Sequence, residues 1–115
     1  MNNIRNTVML IGHLGKDAEM KQLESGKNLA RVTLATNDTY KKENGEKVTD
    51  TQWHNCVGWG KTAELMGNLM KKGKEVAIQG KLTYRNYEDT NGVKRSIPEI
   101  VVSDFALLSP PERRE

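Results

Sequence analysis

The sequence predicts an all-β domain, a five-stranded barrel with one helix between its third and fourth strands. Three observations support this fold class. Apolar and polar residues alternate over several stretches of strand length, which is the period of a half-buried strand. Only one stretch carries its apolar residues at helical spacing. Asn44-Gly45 and Asn91-Gly92 each separate two strand-like segments, and Asn-Gly favours a tight hairpin turn.

Three strands are predicted before the helix. In the second, Ala30, Val32 and Leu34 share one face, as alternation along a strand requires. The stretch between the second and third strands, residues 37–50, is polar and highly charged. The three strands are predicted over residues 7–14 with a weaker continuation over 17–23, residues 29–36, and residues 51–59.

One helix is predicted over residues 61–72, followed by two long strands over residues 75–89 and 94–108. Gly73 is a natural stop for the helix. The apolar stripe of the helix comprises Ala63, Leu65, Met66, Leu69 and Met70. A helix between the third and fourth of five strands is the order of an OB-fold barrel. Other small barrels that carry one helix fit the same periodicity.

Length and composition indicate one globular domain. With 115 residues in the chain, residues 1–108 are predicted as the domain and residues 109–115 as a short polar tail. The net charge of +3 permits an anionic partner without requiring one. The single cysteine, Cys56, excludes an internal disulfide and fits a reducing compartment. Neither a signal-peptide pattern nor an apolar run of membrane length is present, so we expect a cytoplasmic location.

Patterns for catalysis and metal binding are missing from the sequence. His13, His54 and Cys56 are the only imidazole and thiol groups, whereas a zinc site needs about four such ligands. Nothing matches a P-loop, a nucleophile elbow or a dinucleotide fingerprint. We therefore expect no catalytic residues, no metal and no cofactor, and we interpret His54 as a structural histidine.

Aromatic residues are the strongest functional signal. Five of the six lie between residues 40 and 87. Trp53 and Trp59 are six residues apart on one predicted strand, and this even spacing places both rings on one face. Such rings fit a core as well as a binding surface, but lysines and arginines adjoin them. Rings interleaved with cations suit single-stranded nucleic acid, because bases stack on rings and phosphates bind cations whatever the base sequence.

Short motifs along the whole domain give the chain a specific resemblance. They are VMLIGHLGKD at 8–17, LAT at 34–36, TQWH at 51–54, GKTAE at 60–64, KG at 72–73, IQGKL at 78–82, YED at 87–89, NG at 91–92 and EIVV at 99–102. In order and spacing they resemble the bacterial single-stranded DNA-binding protein (SSB) family over residues 6–108. The resemblance implies an OB fold and sequence-independent binding and protection of single-stranded DNA in replication, recombination and repair.

The same resemblance implies roles for individual residues. It implies base stacking on Tyr40, Trp53, Trp59 and Tyr87. It implies phosphate contacts by Lys16, Lys42, Lys61, Lys72 and Arg85. His54 matches a position at a subunit interface, and the family implies a homotetramer at the bacterial replication fork.

The tail departs from the resemblance, and two alternatives stay open. Family members typically end in an acidic tip that recruits replication and repair proteins, whereas this tail carries Arg113 and Arg114. Recruitment through such a tip is therefore not expected. An OB module for protein interaction, such as a primosomal accessory protein, fits the absence of a tip but not the four aromatic positions. A small nuclease or RNA hydrolase would need a carboxylate cluster for its metal, which the sequence lacks.

Overall fold

Six strands and one helix build the part of the chain that the computed structural model describes, residues 4–108. In chain order they are β1 Val8–Leu14, β2 Glu19–Gln22, β3 Asn28–Lys41, β4 Lys47–Trp59, α1 Gly60–Leu69, β5 Glu75–Glu88 and β6 Lys94–Leu107. The predicted polar tail, residues 109–115, lies outside the described residues, as do residues 1–3.

The strands close into a barrel because β1 and β2 both pair with β3. The sheet order is β1-β5-β6-β4-β3-β2, and the additional β1–β3 pairing joins its ends. Glycine is required at Gly12 beside this junction, since a Cβ there would lie 2.2 Å from the Ala35 carbonyl oxygen. When β1 and β2 are counted as halves of one strand, the barrel has five strands with α1 after the third. The predicted fold class is confirmed.

Side chains on the long strands alternate between the barrel interior and the outside. On β3, Ala30, Val32 and Leu34 are buried as predicted, while Arg31 and Thr33 between them are half-buried on the other face. The rest of the core is Leu14, Cys56, Ala63, Met66, Met70, Val76, Ile78, Ile100 and Val102. The interior is therefore aliphatic, and no tryptophan or tyrosine is needed to fill it.

The helix ends earlier than predicted, at Leu69. Met70 is buried in an extended conformation, and its carbonyl accepts the Ala18 N–H at 3.1 Å. Asp17 Oδ1 accepts the N–H of Lys72 at 2.8 Å. These long-range hydrogen bonds replace the last predicted helical turn. No helix within residues 4–108 is long and apolar enough to cross a membrane.

The polar stretch between the second and third predicted strands is itself a hairpin, here called the β3–β4 arm (residues 37–51). Its register runs unbroken from Asn37–Thr51 to Lys41–Lys47. Thr51 donates a hydrogen bond to Asn37 Oδ1 at 2.7 Å, so polar side chains pair across the strands. Gly45, at φ 85°, forms the turn predicted from Asn-Gly.

Candidate nucleic-acid interface

Two predicted stacking residues lie on the outside of β4, six residues apart. Trp53 pairs with Ala35 of β3 and Trp59 pairs with Leu29, in a register without interruption, so both rings point to one side as predicted. Their exposed fractions are 62% and 42%. Both indoles therefore offer ring surface to solvent.

The same outer face continues across β6 to β5. Val57 of β4 lies beside Val101 of β6, and the β5–β6 register pairs Arg85 with Ile97. Alternation from these pairs places Tyr87 on the face that carries the two tryptophans. The Arg85 guanidinium carbon lies 5.8 Å from the centroid of the Tyr87 ring, within cation–π range.

The position of Trp53 depends on a glycine. A Cβ on Gly15 would lie 2.6 Å from Trp53 Cζ3 and 3.0 Å from Thr33 Oγ1. Because real Cβ atoms do not come within 3.0 Å of such a neighbour, a side chain at this position would force the indole or the backbone to shift. Glycine at this position therefore leaves space for the indole beside the end of β1.

Two exposed tyrosines lie off this face. Tyr40, paired with Val48 at the far end of the β3–β4 arm, has the opposite parity to Trp53 and so lies on the other side of the arm. Tyr84, three residues before Tyr87, lies on the other side of the β5–β6 hairpin and is 62% exposed. The structure thus groups three of the four predicted stacking residues on one face and places the fourth, Tyr40, apart.

A groove of about 360 Å³ lies on this outer face. We call it the arginine groove, and it is lined chiefly by Lys16, Glu19, Arg31, Asn55, Arg85 and Glu99. The Glu99 side chain is only 8% exposed and accepts Arg31 Nη1 at 2.5 Å and Arg85 Nε at 3.3 Å. Arg85 was among the predicted phosphate contacts, whereas neither Arg31 nor Glu99 was a predicted site residue. Alternation on β3 already placed Arg31 outside the core, and this was the available signal.

The five predicted phosphate-binding residues are not one cluster. Lys16 and Arg85 line the arginine groove, and the Lys16 ammonium, 2.8 Å from Glu19, holds the pKa of that carboxyl below its ordinary value. Lys42 lies beyond β3 in the turn of the β3–β4 arm, Lys61 in the first turn of α1, and Lys72 after α1. These three lysines are exposed and form no ion pair within residues 4–108.

The remaining candidate residues are held by the fold. His54 is half-buried on the inner face, where its Nε2 lies 2.9 Å from Thr36 Oγ1. Cys56 is buried, and desolvation raises the pKa of its thiol to about 12. Among residues 4–108 no group of three or more His, Cys, Asp or Glu side chains could hold a metal ion. The subunit contact predicted for His54 stays a prediction.

Comparison with known proteins identifies the family. The chain is 41% identical over 104 residues to single-stranded DNA-binding protein 1 of Chlorobaculum tepidum, covering 90% of this chain and 64% of that protein. It is 35% identical over 103 residues to the single-stranded DNA-binding protein of Neisseria meningitidis, covering 90% of this chain and 59% of that protein. The chain thus spans about three-fifths of the length of these curated relatives.

Two solved structures share the fold. A Plasmodium falciparum SSB in complex with ssDNA superposes with a TM-score of 0.81 at 32% identity, covering 90% of this chain and 95% of that one. A deletion mutant of the Thermus aquaticus single-stranded DNA binding protein gives 0.77 at 28% identity, covering 90% and 50%. The profile of the single-strand binding protein family matches residues 5–108. This chain belongs to the single-strand binding protein family.

Proposed function

We propose that the protein binds and protects single-stranded DNA without regard to sequence, in replication, recombination and repair. One observation carries the proposal: Trp53, Trp59 and Tyr87 expose their rings on one outer face, with arginines between them. The solved relative from Plasmodium falciparum, described as a complex with ssDNA, supports the same ligand.

Binding combines stacking with charge. Each unpaired base lays its flat face on an exposed ring, which contributes about 1–3 kcal/mol per base and does not distinguish bases. Phosphates contact the basic side chains, so affinity falls as salt rises. Tyr40 takes part where the strand passes around the β3–β4 arm, with Lys42 beside it. Lys16, Lys61, Lys72 and Arg85 contact phosphates along the rest of the path.

A homotetramer is the assembly that we propose. Apart from its last two residues, β1 pairs with β5 alone. On this strand Met9 is 67% and Ile11 is 56% exposed. A strand with one open edge and an exposed apolar face is suited to pairing with another copy. His54 is proposed to contact the neighbouring subunit. Several linked grooves would raise the effective concentration of binding sites along one strand.

This function is that of a binding protein and not of an enzyme, without cofactor or metal, in the bacterial cytoplasm. The family match supports this interpretation. Recruitment of repair proteins through an acidic tip is not part of the proposal.

The decisive experiment is a fluorescence titration of the whole chain with oligo(dT) at several salt concentrations, with light scattering for subunit number. We expect quenching of tryptophan emission, a steep fall of affinity with salt, and the mass of four chains. Binding that leaves both tryptophans unquenched would contradict the stacking surface. A mass other than four chains would contradict the tetramer alone.

A matched pair of variants on β5 sharpens the experiment. Tyr87→Ala removes a ring from the outer face, whereas Tyr84→Ala removes an equally large ring from the other side of the hairpin. We expect the first to weaken binding of labelled oligo(dT) roughly tenfold and the second less than about twofold. Equal losses would show that the outer face is not the stacking surface.

A further inference from the structure

The geometry points to a subsite for one DNA phosphate in the arginine groove, formed by Arg31 and Arg85 and held in position by Glu99. The inference rests on the proposed function and deepens it. It assigns a ligand-binding role to Arg31 and a positioning role to Glu99, neither of which the sequence motifs indicated.

The buried Glu99 carboxylate holds both arginines in position. This carboxylate is 8% exposed and bonds Nη1 of Arg31 and Nε of Arg85. A guanidinium has five N–H donors, and each arginine uses one of them on Glu99. Within residues 4–108 the other donors of both groups, including all four terminal hydrogens of Arg85, have no protein acceptor. Since the arginine side chains are 39% and 46% exposed, these donors can reach a ligand.

The charge of the groove suits a single anion. Lys16, Arg31 and Arg85 supply three positive charges, and Glu19 and Glu99 supply two negative ones. One net positive charge is left, and each phosphate of the DNA backbone carries one negative charge. Guanidinium groups bind phosphate in a two-pronged geometry, which a lysine cannot offer.

The location between the rings also fits a phosphate. Arg31 pairs with Val57, two residues from Trp59, and Arg85 is two residues from Tyr87. At about 3.3 Å per residue each arginine lies about 7 Å along the sheet from a ring. A strand whose bases stack on β4 at one side and on Tyr87 at the other would pass its backbone over the arginine groove.

The test measures oligo(dT) affinity against salt for Arg31→Gln and for Lys27→Gln. Lys27 is an exposed lysine in the turn before β3 and is outside the groove lining, so its variant controls for the loss of one charge. We expect Arg31→Gln to raise Kd roughly tenfold and to lower the salt slope by about 0.7, the value for one phosphate on a single strand. Lys27→Gln should change Kd less than about twofold.

Two further variants separate binding from structure. Arg31→Lys keeps the charge but lacks the two-pronged guanidinium. It should therefore restore most of the salt slope, while Kd stays above that of the original chain. Arg31→Gln with Arg85→Gln should weaken binding by less than the product of the single effects, since both arginines hold one phosphate. Thermal unfolding checks that each variant is folded. If Arg31→Gln does not fold, the Kd and salt slope of Arg31→Lys and Arg85→Gln decide whether the subsite exists.

Each outcome has a distinct meaning. An Arg31→Gln chain that is folded and behaves like Lys27→Gln overturns the subsite, and the proposed function stands if Tyr87→Ala still weakens binding. Fully multiplicative effects of the two arginine variants also overturn it, because the arginines then act on separate phosphates. If the original chain does not bind oligo(dT), the proposed function fails first.

Discussion

The inner and outer faces of the same four long strands carry mostly different kinds of side chain. Inside, Val32, Leu34 and Ile78 are buried within an aliphatic core. Outside, the residues between them on the same strands include Arg31, the two tryptophans and the lining of the arginine groove. Because alternate residues on a strand point to opposite sides, one segment can serve folding and the proposed binding with largely separate sets of residues.

We expect this separation to make stability and the proposed DNA binding nearly independent. A change on the inner face should lower the free energy of unfolding and leave the affinity of the folded protein alone. A change on the outer face should do the reverse. Exceptions are expected at Leu29, Ala35, Val57 and Glu99, which are on the outer face but buried, and at Gly15, which leaves space for the Trp53 ring.

The largest effect should come from Leu34→Ala. Leu34 is fully buried, and removing its branched side chain leaves a cavity, so the free energy of unfolding should fall by about 3 kcal/mol. Urea unfolding measures this. Thr33→Ala, one residue away on the outer face, is the control and should cost less than about 1 kcal/mol. Similar losses for the two would contradict the separation of faces.

Glu99→Ala should be an exception among outer-face changes, since here the substitution destabilises the fold. It leaves two arginines without their shared carboxylate, and we expect a loss of about 2 kcal/mol in urea unfolding. The half-exposed arginines can turn to water, which keeps the loss below that of a fully buried pair. Glu43→Ala, at an exposed carboxylate in the β3–β4 turn, should change stability by less than about 0.5 kcal/mol. If Glu99→Ala lost no more stability than Glu43→Ala, the ion pairs of Glu99 with the two arginines would have no structural role.

Gly15→Ala tests whether the glycine after β1 keeps Trp53 in place on the proposed binding face. The added Cβ would be 2.6 Å from Trp53, so the ring must move. We expect oligo(dT) affinity to fall roughly fivefold, or about 1 kcal/mol, together with a shift in tryptophan emission. The same substitution in a Trp53→Ala chain should have no further effect on affinity. An equal loss in both backgrounds would mean that Gly15 acts by another route.

The fold was largely predictable from sequence because alternation is a local signal. That Trp53 and Trp59 lie on the same face of their strand followed from their even spacing alone. The end of α1 was not predictable, since Met70 and Lys72 are drawn out of the helix by residues 17 and 18, more than fifty positions earlier.

The candidate site was predictable only in part, for similar reasons. The paired strands of the β3–β4 arm were hidden because polar threonines, and not apolar residues, pair across them. Arg31 and Glu99 are 68 residues apart, and only the barrel brings them together. No motif joins such a pair, so the arginine groove required the structure.

Cys56 should give the smallest effect and is the strictest test of the inner face, because its neighbours Asn55 and Val57 belong to the outer one. Burial raises the pKa of its thiol from an ordinary 9.0 to about 12. The folded chain therefore keeps this proton where the unfolded chain loses it. Its contribution to stability is complete below pH 9 and is lost as pH rises from 9 towards 12, at about 1.4 kcal/mol per pH unit. Between pH 7.5 and 9.5 the free energy of unfolding should fall by about 0.8 kcal/mol more than in a Cys56→Ala chain. Equal falls in the two chains, or rapid thiol labelling of the folded protein at pH 9.5, would mean that water reaches this position and that the two faces are not sealed from each other.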